Sequence, residues 1–260
     1  MLKLRAYLDI NLKLLKFSTK DLKFLNSKIS KLVMNNFSPN YFINLSDLKH
    51  KELFSVSYIW EVIAKLEEYL SNYKLGKIEI DIPRGVYLEN PELISIGRGT
   101  VLEPGAYIKG PVIIEANCVI RHGAYIRGNV IAEEGSLIGH ATEAKNCFLS
   151  PGAHAAHFSY LGDSILGINV NLGAGTICSN VKLNREEITI KDQGKIYQTG
   201  LKKMGAVIGD GCQLGCNTVT NPGAIIGKKA SSFPNSTIFG VVPANAIIKP
   251  HSFRKTEVEI

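Results

Sequence analysis

The sequence has no uninterrupted apolar stretch approaching the roughly 20 residues that cross a bilayer, so no membrane span is expected. Its first residues, Met1-Leu-Lys-Leu-Arg-Ala-Tyr-Leu-Asp-Ile10, break each apolar run with charge and offer no small-residue cleavage site. That argues against a signal peptide and for a cytoplasmic location. Cysteine is scarce and odd in number: Cys118, Cys147, Cys178, Cys212 and Cys216. The last two stand four apart, without the paired spacing of a zinc site, so small buried thiols in a reducing compartment are expected and no metal. Arg-rich runs, RNA-binding aromatic signatures and zinc fingers are absent, which leaves the net charge of +7 without a nucleic-acid partner. Many of the lysines lie in the first 74 residues, spread through apolar ones (Lys13, Lys16, Lys20, Lys23, Lys28, Lys31), as on the solvated side of amphipathic helices.

What the chain has instead is a period of six. From Ile96 an aliphatic or small residue returns at Leu102, Ile108, Ile114, Ile120, Ile126, Ala132, Ile138 and Ala144. After a slip of phase it resumes at Leu166, Leu172 and Cys178, then at Ile208, Leu214, Thr220, Ile226 and Ser232. Neither the helical period of 3.6 nor the strand period of 2 fits. A triangular coil does: each unit gives one short strand with its aliphatic residue pointing inward, and Gly or Asn takes the corner, where positive φ costs little. Three units close a rung, and roughly eight rungs are expected, each completing its neighbour's backbone hydrogen bonds. The fold class is therefore mainly β, a parallel β-helix over 77–250, with a helical appendage at 1–76 and an exposed tail at 251–260. In the appendage, Ser18-Thr19-Lys20-Asp21 is positioned to cap a helix carrying Leu22, Leu25, Ile29, Leu32 and Val33 on one face. A second helix is expected from about Ser57 to Asn72, with Trp60 packing on the next domain. The stretch 181–203 is polar and out of pattern, and reads as an extruded loop.

From about Pro91 to Pro250 the chain resembles the hexapeptide-repeat acyltransferases, whose prisms wind left-handed against the usual crossover hand. More narrowly it is similar to the C-terminal half of bifunctional sugar-1-phosphate nucleotidyltransferase/acetyltransferases, which serve UDP-N-acetylglucosamine synthesis and the cell envelope. The stretches that carry this are Gly139-His-Ala-Thr-Glu-Ala-Lys-Asn146, Ala156-His-Phe-Ser-Tyr-Leu-Gly-Asp163, Val170-Asn-Leu-Gly-Ala-Gly-Thr176 and Ala206-Val-Ile-Gly-Asp210. The N-terminal residues hold no Gly-rich phosphate loop, so uridylyl transfer by this chain is not expected.

The resemblance implies acetyl transfer from acetyl-CoA to an amino-sugar 1-phosphate of the glucosamine 1-phosphate type, with no metal. Such chemistry needs a base of near-neutral pKa, cations for the phosphate and donors for the oxyanion. By resemblance His157 is the base, oriented by Glu143, while Arg127, Lys145, Tyr160 and Asn171 hold the sugar phosphate. Lys203 is the preferred further substrate lysine and Arg185 the second choice. Ala174, Asn180 and Cys216 fall at coenzyme A contacts, Cys216 standing where a serine is common and Pro234 where a small residue is. A basic residue expected near the C-terminus is either His251 or Arg254. Taken alone, polar residues at prism corners are ordinarily just solvated, Asn171 fits a backbone-satisfying role, and His122, His140 and His154 read as surface residues. The resemblance also implies a homotrimer with its site between prisms. Two other readings stay open: a non-catalytic sugar-nucleotide-binding or assembly partner of a separate nucleotidyltransferase, and an acyltransferase with a different acceptor.

Overall fold

The computed structural model describes residues 37–250. The helix expected over 22–33, the tail at 251–260 and the pair His251 and Arg254 lie outside those residues. The period of six folds as a β-helix of three eight-stranded parallel sheets, one per side of a prism. One side begins with Ile94–Ile96 and Val112–Ile114, the next with Val101–Leu102 and Val119–Ile120, and the third with Tyr87–Glu89 and Tyr107–Lys109. They are called here the covered, histidine and tyrosine faces.

Register explains why the period had to be so strict. On the covered face Ile96, Ile114, Ala132, Leu149, Leu166, Ile208 and Ile226 are consecutive partners, each stacked on the residue one rung earlier. All are buried, as are the matching columns of the other two faces. A polar residue in such a column loses its water, which is why the inward Thr220 and Ser232 are exceptions. The cysteines behave as small hydrophobes: Cys118, Cys147, Cys178 and Cys212 are buried and only Cys216 is exposed. Burial pushes the thiols of Cys118, Cys178 and Cys212 up to about 11, far from thiolate chemistry.

The slip of phase between Ala144 and Leu166 is not an interruption. Leu149, Ala155 and Leu161 fill the inward positions there, in register with the rungs on either side. What changes is one corner. In the preceding rung two left-handed residues, Gly128 and Asn129, turn the chain from the tyrosine face to the covered face. In the next two rungs a single left-handed residue does so, Asn146 and then Asp163.

The outward residues of the covered face are apolar, and they are buried too. Ile113, Ile131, Phe148, Ile165, Val207 and Ile225 form a second core with Phe42, Phe54, Trp60 and the inner side of a helix, Glu61–Ser71. That helix has Val62, Ile63, Leu66 and Leu70 buried at helical spacing. It starts later than expected because the Glu61 carboxylate accepts hydrogen bonds from the amides of Ser57 and Tyr58, at 2.9 and 3.1 Å, and so fixes a turn ahead of it. Residues 37–75 thus run along the covered face, from the first rungs to the rung of Asp210. Truncating a side chain in this core, such as Phe148, would cost about 3–5 kcal/mol.

The expected loop over 181–203 also folds onto this face. It contains a hairpin, Thr189–Asp192 paired with Lys195–Gln198, whose Ile190 is buried with Ile188 and Met204. The Tyr197 ring meets Phe37 at 5.0 Å and Trp60 at 6.2 Å. Trp60 therefore does pack on the neighbouring unit, largely through this hairpin.

Polar anchors fix both ends of the cap. At one, the amide of Asn44 donates to Asp210 Oδ2 at 2.8 Å and the amide of Asp210 donates to the Phe42 carbonyl at 2.9 Å. At the other, the amide of buried His50 donates to Glu133 Oε1 at 2.7 Å, and its Nε2 lies 3.0 Å from Glu115 Oε1. Burial raises the Glu115 carboxyl, but hydrogen bonds from His50 and Lys49 outweigh it and hold the group below the ordinary carboxylate range. A depressed carboxylate contributes stability that is present above its unfolded value, about 4.3, and is lost as pH falls through the folded value. Glu133, raised chiefly by burial, works in the opposite sense, favouring the folded state at low pH. Urea denaturation of wild type and Glu115→Gln between about pH 6 and pH 3 separates the two: the variant should be less stable near pH 6, and the difference should shrink on acidification.

Candidate active site

Among the described residues none covers the other two faces, and the corner between them carries the histidines. His140 ends the strand Leu137–His140, and His157 ends His154–His157 directly above it, the two being register partners. The His140 Nδ1 lies 2.8 Å from the His122 carbonyl, and the His122 Nδ1 lies 2.6 Å from the Pro104 carbonyl. The rings of His122 and His140 stack at 5.5 Å. Each donor bond of this kind would place the proton on Nδ1 and leave Nε2 free. His122 and His140 are thus the lower steps of the column that leads to His157, His122 exposed as expected and His140 half-buried. His154 sits instead on the histidine face, paired with Asn171.

Above His157 the same corner continues through Ala174 and Cys216. The amide of Gly175 donates to the His157 carbonyl at 3.0 Å, and that of Asn217 donates to the Ala174 carbonyl at 2.8 Å. The rungs approach so closely here that a Cβ on Gly173 would lie 2.5 Å from the Cys216 nitrogen, and one on Gly215 2.4 Å from that of Pro234. Two of the three expected donor contacts, Ala174 and Cys216, therefore line up with His157 and Pro234 along one edge.

Asn180 does not join them. It lies at the corner between the tyrosine and covered faces, where its Nδ2 donates to Asp163 Oδ2 at 2.5 Å. Asp163, almost wholly buried, also accepts from Asn146 Nδ2 at 2.8 Å and holds the Lys145 ammonium at 3.5 Å. The Tyr160 phenol reaches the same place: a Cβ on Gly162 would lie 2.6 Å from Asn180 Nδ2 and 2.7 Å from Tyr160 Oη, so the tyrosine folds across a position only glycine leaves open. Burial, then the Glu143 charge, raise the Tyr160 phenol, so it stays protonated and able to donate. Lys203 is exposed beside this group, one residue before Met204, whose amide donates to the Asn180 carbonyl at 2.9 Å.

Arg127 and Glu143 share the tyrosine face with Lys145 and Tyr160, and their side chains pair at 2.6 Å. Glu143 makes no hydrogen bond to His157; its carboxylate is engaged by Arg127 instead. Below them the outward row continues as Tyr125, Tyr107 and Tyr87. So the residues divide. Arg127, Glu143, Lys145, Tyr160 and Asn180 belong to the tyrosine face and its far corner, Asn171 to the histidine face, and His157 to the edge between.

Two features escaped the sequence. Asp163 stood in a quoted stretch without a role, yet it gathers three side chains. Phe158 was missed altogether. It takes the corner after His157 with φ +51°, where other rungs have Gly105, Gly123, Ala141, Gly175, Asn217 and Asn235, and it is 54% exposed. A bulky residue in the left-handed region is strained, and such strain gathers at functional sites. The signal was available, since phenylalanine is the one bulky residue in a corner column of Gly, Asn and Ala.

Fold and repeat together are those of a parallel β-helix built on six-residue units. Residues 94–128 match the family described as bacterial transferase hexapeptide (six repeats). The chain is 34% identical over 98 residues to a bifunctional sugar-1-phosphate nucleotidylyltransferase/acetyltransferase of Sulfurisphaera tokodaii, covering 38% of this chain and 24% of the relative. It is 26% identical to the bifunctional protein GlmU of Thermosipho africanus, covering 86% of this chain and 56% of that protein. The chain thus spans between about a quarter and about half of the length of these relatives. Among solved structures, a mutant of AntD, an N-acyltransferase from Bacillus cereus in complex with dTDP and coenzyme A, is similar at 12% identity and a TM-score of 0.31, covering 73% of this chain and 87% of that one. That likeness is too slight to bear on mechanism.

If the Phe158 corner is held strained for the sake of the site, relaxing it should separate stability from activity. Phe158→Gly should leave the protein as stable or stabilise it by about 1–2 kcal/mol in chemical denaturation, and should lower kcat/KM by at least about tenfold in any acyl-transfer assay to which the wild type responds.

Proposed function

We propose that the protein is an acetyl-CoA-dependent N-acetyltransferase acting on an amino-sugar 1-phosphate, most simply glucosamine 1-phosphate. The observation that carries this is the division of the polar residues between two uncovered faces, with a histidine on the edge they share. One prism turns these faces away from each other, so a complete site needs the tyrosine face of one copy against the histidine face of the next. A closed ring of three such contacts satisfies every copy, and a homotrimer is the assembly proposed.

In that cleft Arg127 and Lys145 face the sugar phosphate, and Tyr160 donates to a sugar hydroxyl. Asn171 of the adjoining copy completes the sugar site. The His157 imidazole takes a proton from the amine as its nitrogen attacks the thioester carbonyl. An amide bond forms, the carbon–sulfur bond breaks, and coenzyme A leaves as the thiolate, which the imidazolium reprotonates. Ala174, Cys216 and Pro234 line the edge along which the donor would lie. Glu143 serves first to hold Arg127, and it orients His157 only by exchanging that partner. Lys203 stands ready as a further phosphate contact beside Asn180.

Thiol release from acetyl-CoA and glucosamine 1-phosphate tests the chemistry. His157→Ala should lose about 10²–10⁴-fold in kcat while still binding the sugar phosphate. Wild type that binds glucosamine 1-phosphate yet releases no thiol would turn the reading to a sugar-phosphate-binding protein. The shared site has its own test. Arg127→Ala and Asn171→Ala, each inactive alone, should recover about a quarter of wild-type activity when unfolded, mixed in equal amounts and refolded together. No recovery would place both residues in a single chain's site.

A further inference from the structure

Asp163 has no part in the acyl transfer proposed above, yet it stands behind two of the groups that would meet the sugar phosphate. It takes a single-residue corner with φ +49° and is almost wholly buried. Its amide donates to the Lys145 carbonyl at 2.9 Å, which sets the two residues side by side on adjoining rungs. From the rung beyond, the Gly205 amide donates to the Asp163 carbonyl at 2.8 Å.

The carboxylate is surrounded by donors at unequal distances. Oδ1 accepts from Asn146 Nδ2 at 2.8 Å and Oδ2 from Asn180 Nδ2 at 2.5 Å, while the Lys145 ammonium stays 3.5 Å from Oδ1. The close bonds go to neutral amides. The half-buried ammonium is oriented without being saturated, since an ammonium has three donors and Asp163 engages one.

A carboxylate only accepts, so it also decides which end of each amide faces it. Asn180 must present Nδ2, and that nitrogen has a second hydrogen to give. The Tyr160 oxygen is beside it: a Cβ on Gly162 would meet both atoms, at 2.6 Å and 2.7 Å. Burial and then the Glu143 charge raise the phenol, and a hydrogen bond from the Asn180 side chain opposes that rise, as a donor to the phenol oxygen does. With its oxygen accepting from Asn180, Tyr160 keeps its own O–H for a partner outside the group.

We propose that Asp163 is the positioning residue of the acceptor site: it aims the Lys145 ammonium at the phosphate and, through Asn180, turns the Tyr160 hydroxyl toward a sugar oxygen. This role rests on the acceptor proposed above. It makes recognition of the sugar phosphate, and not of the acyl donor, depend on a side chain that touches neither.

Asp163→Asn tests this, because asparagine holds the same single-residue corner one rung earlier, at Asn146, and suits the left-handed backbone. One end of the new amide is then a donor facing a donor. In steady-state kinetics the variant should raise the KM for glucosamine 1-phosphate at least about tenfold, with kcat and the KM for acetyl-CoA within about twofold. An effect exerted through Lys145 must shrink when that lysine is gone: in the Lys145→Met background the same change should raise KM at least about threefold less. Asn180→Ala gives a second measurement with Asp163 in place: it should raise the same KM at least about threefold, and leave it unchanged in the Tyr160→Phe background. The proposal is overturned if Asp163→Asn leaves the sugar-phosphate KM unchanged, if both KM values rise alike, or if either pair of substitutions multiplies in full. Wild type that neither binds nor acetylates glucosamine 1-phosphate overturns the acceptor and this role together, whereas the role fails alone when an active wild type gives any of the other results.

Discussion

Everything in this molecule depends on one rung hydrogen-bonding to the next in parallel, with each inward residue seated on its predecessor. The amide of Glu115 donates to the Ala132 carbonyl at 2.8 Å, that of Glu133 to Leu149 at 2.9 Å, and that of Ser150 to Leu166 at 2.8 Å. Because the hydrogen bonds lock register, side chains on one face stand in columns, and a residue at a given phase reaches the same edge in every rung. His122, His140 and His157 meet for that reason, although nothing else in the chain links them.

The same rule makes the three faces unequal. The covered face has an apolar outer column, and residues 37–75 and the 188–204 segment hide it. The other two outer columns mix polar and aromatic residues with apolar ones, and no described residue covers them: Tyr125, Glu143, Tyr160 and Ile177 on one, Val119, Leu137, His154 and Asn171 on the other. An apolar column is hidden because exposing it would cost about 25 cal/mol for each Å² left in water. A mixed column carries less of that penalty and is left available for ligands and for a second copy.

Much of this was legible in the chain because a period of six has few physical solutions. Ile96 to Ala144 and Ile208 to Ser232 announced a triangular coil, and the rung number followed from their span. Three things were not legible. The slip before Leu166 concealed Leu149, Ala155 and Leu161, because shortening a corner by one residue shifts the phase without interrupting the coil. The charged surroundings of Ile188 and Ile190 hid a hairpin that packs by its one apolar side. The resemblance groups Asn180 with Ala174, although the strand Ile177–Cys178 carries it to the opposite edge of the tyrosine face.

The sequence by itself determined the coil, its inward columns and the edge on which His157 stands, since hydrophobic period and corner-residue chemistry are local and repeat in every rung. Only the tertiary structure decided which face would be covered, that Glu143 pairs with Arg127, and that Asp163 binds Lys145, Asn146 and Asn180 together. Those outcomes turn on contacts between residues on different rungs, or between the cap and a face, and the distances that settle them exist only once the chain has closed on itself.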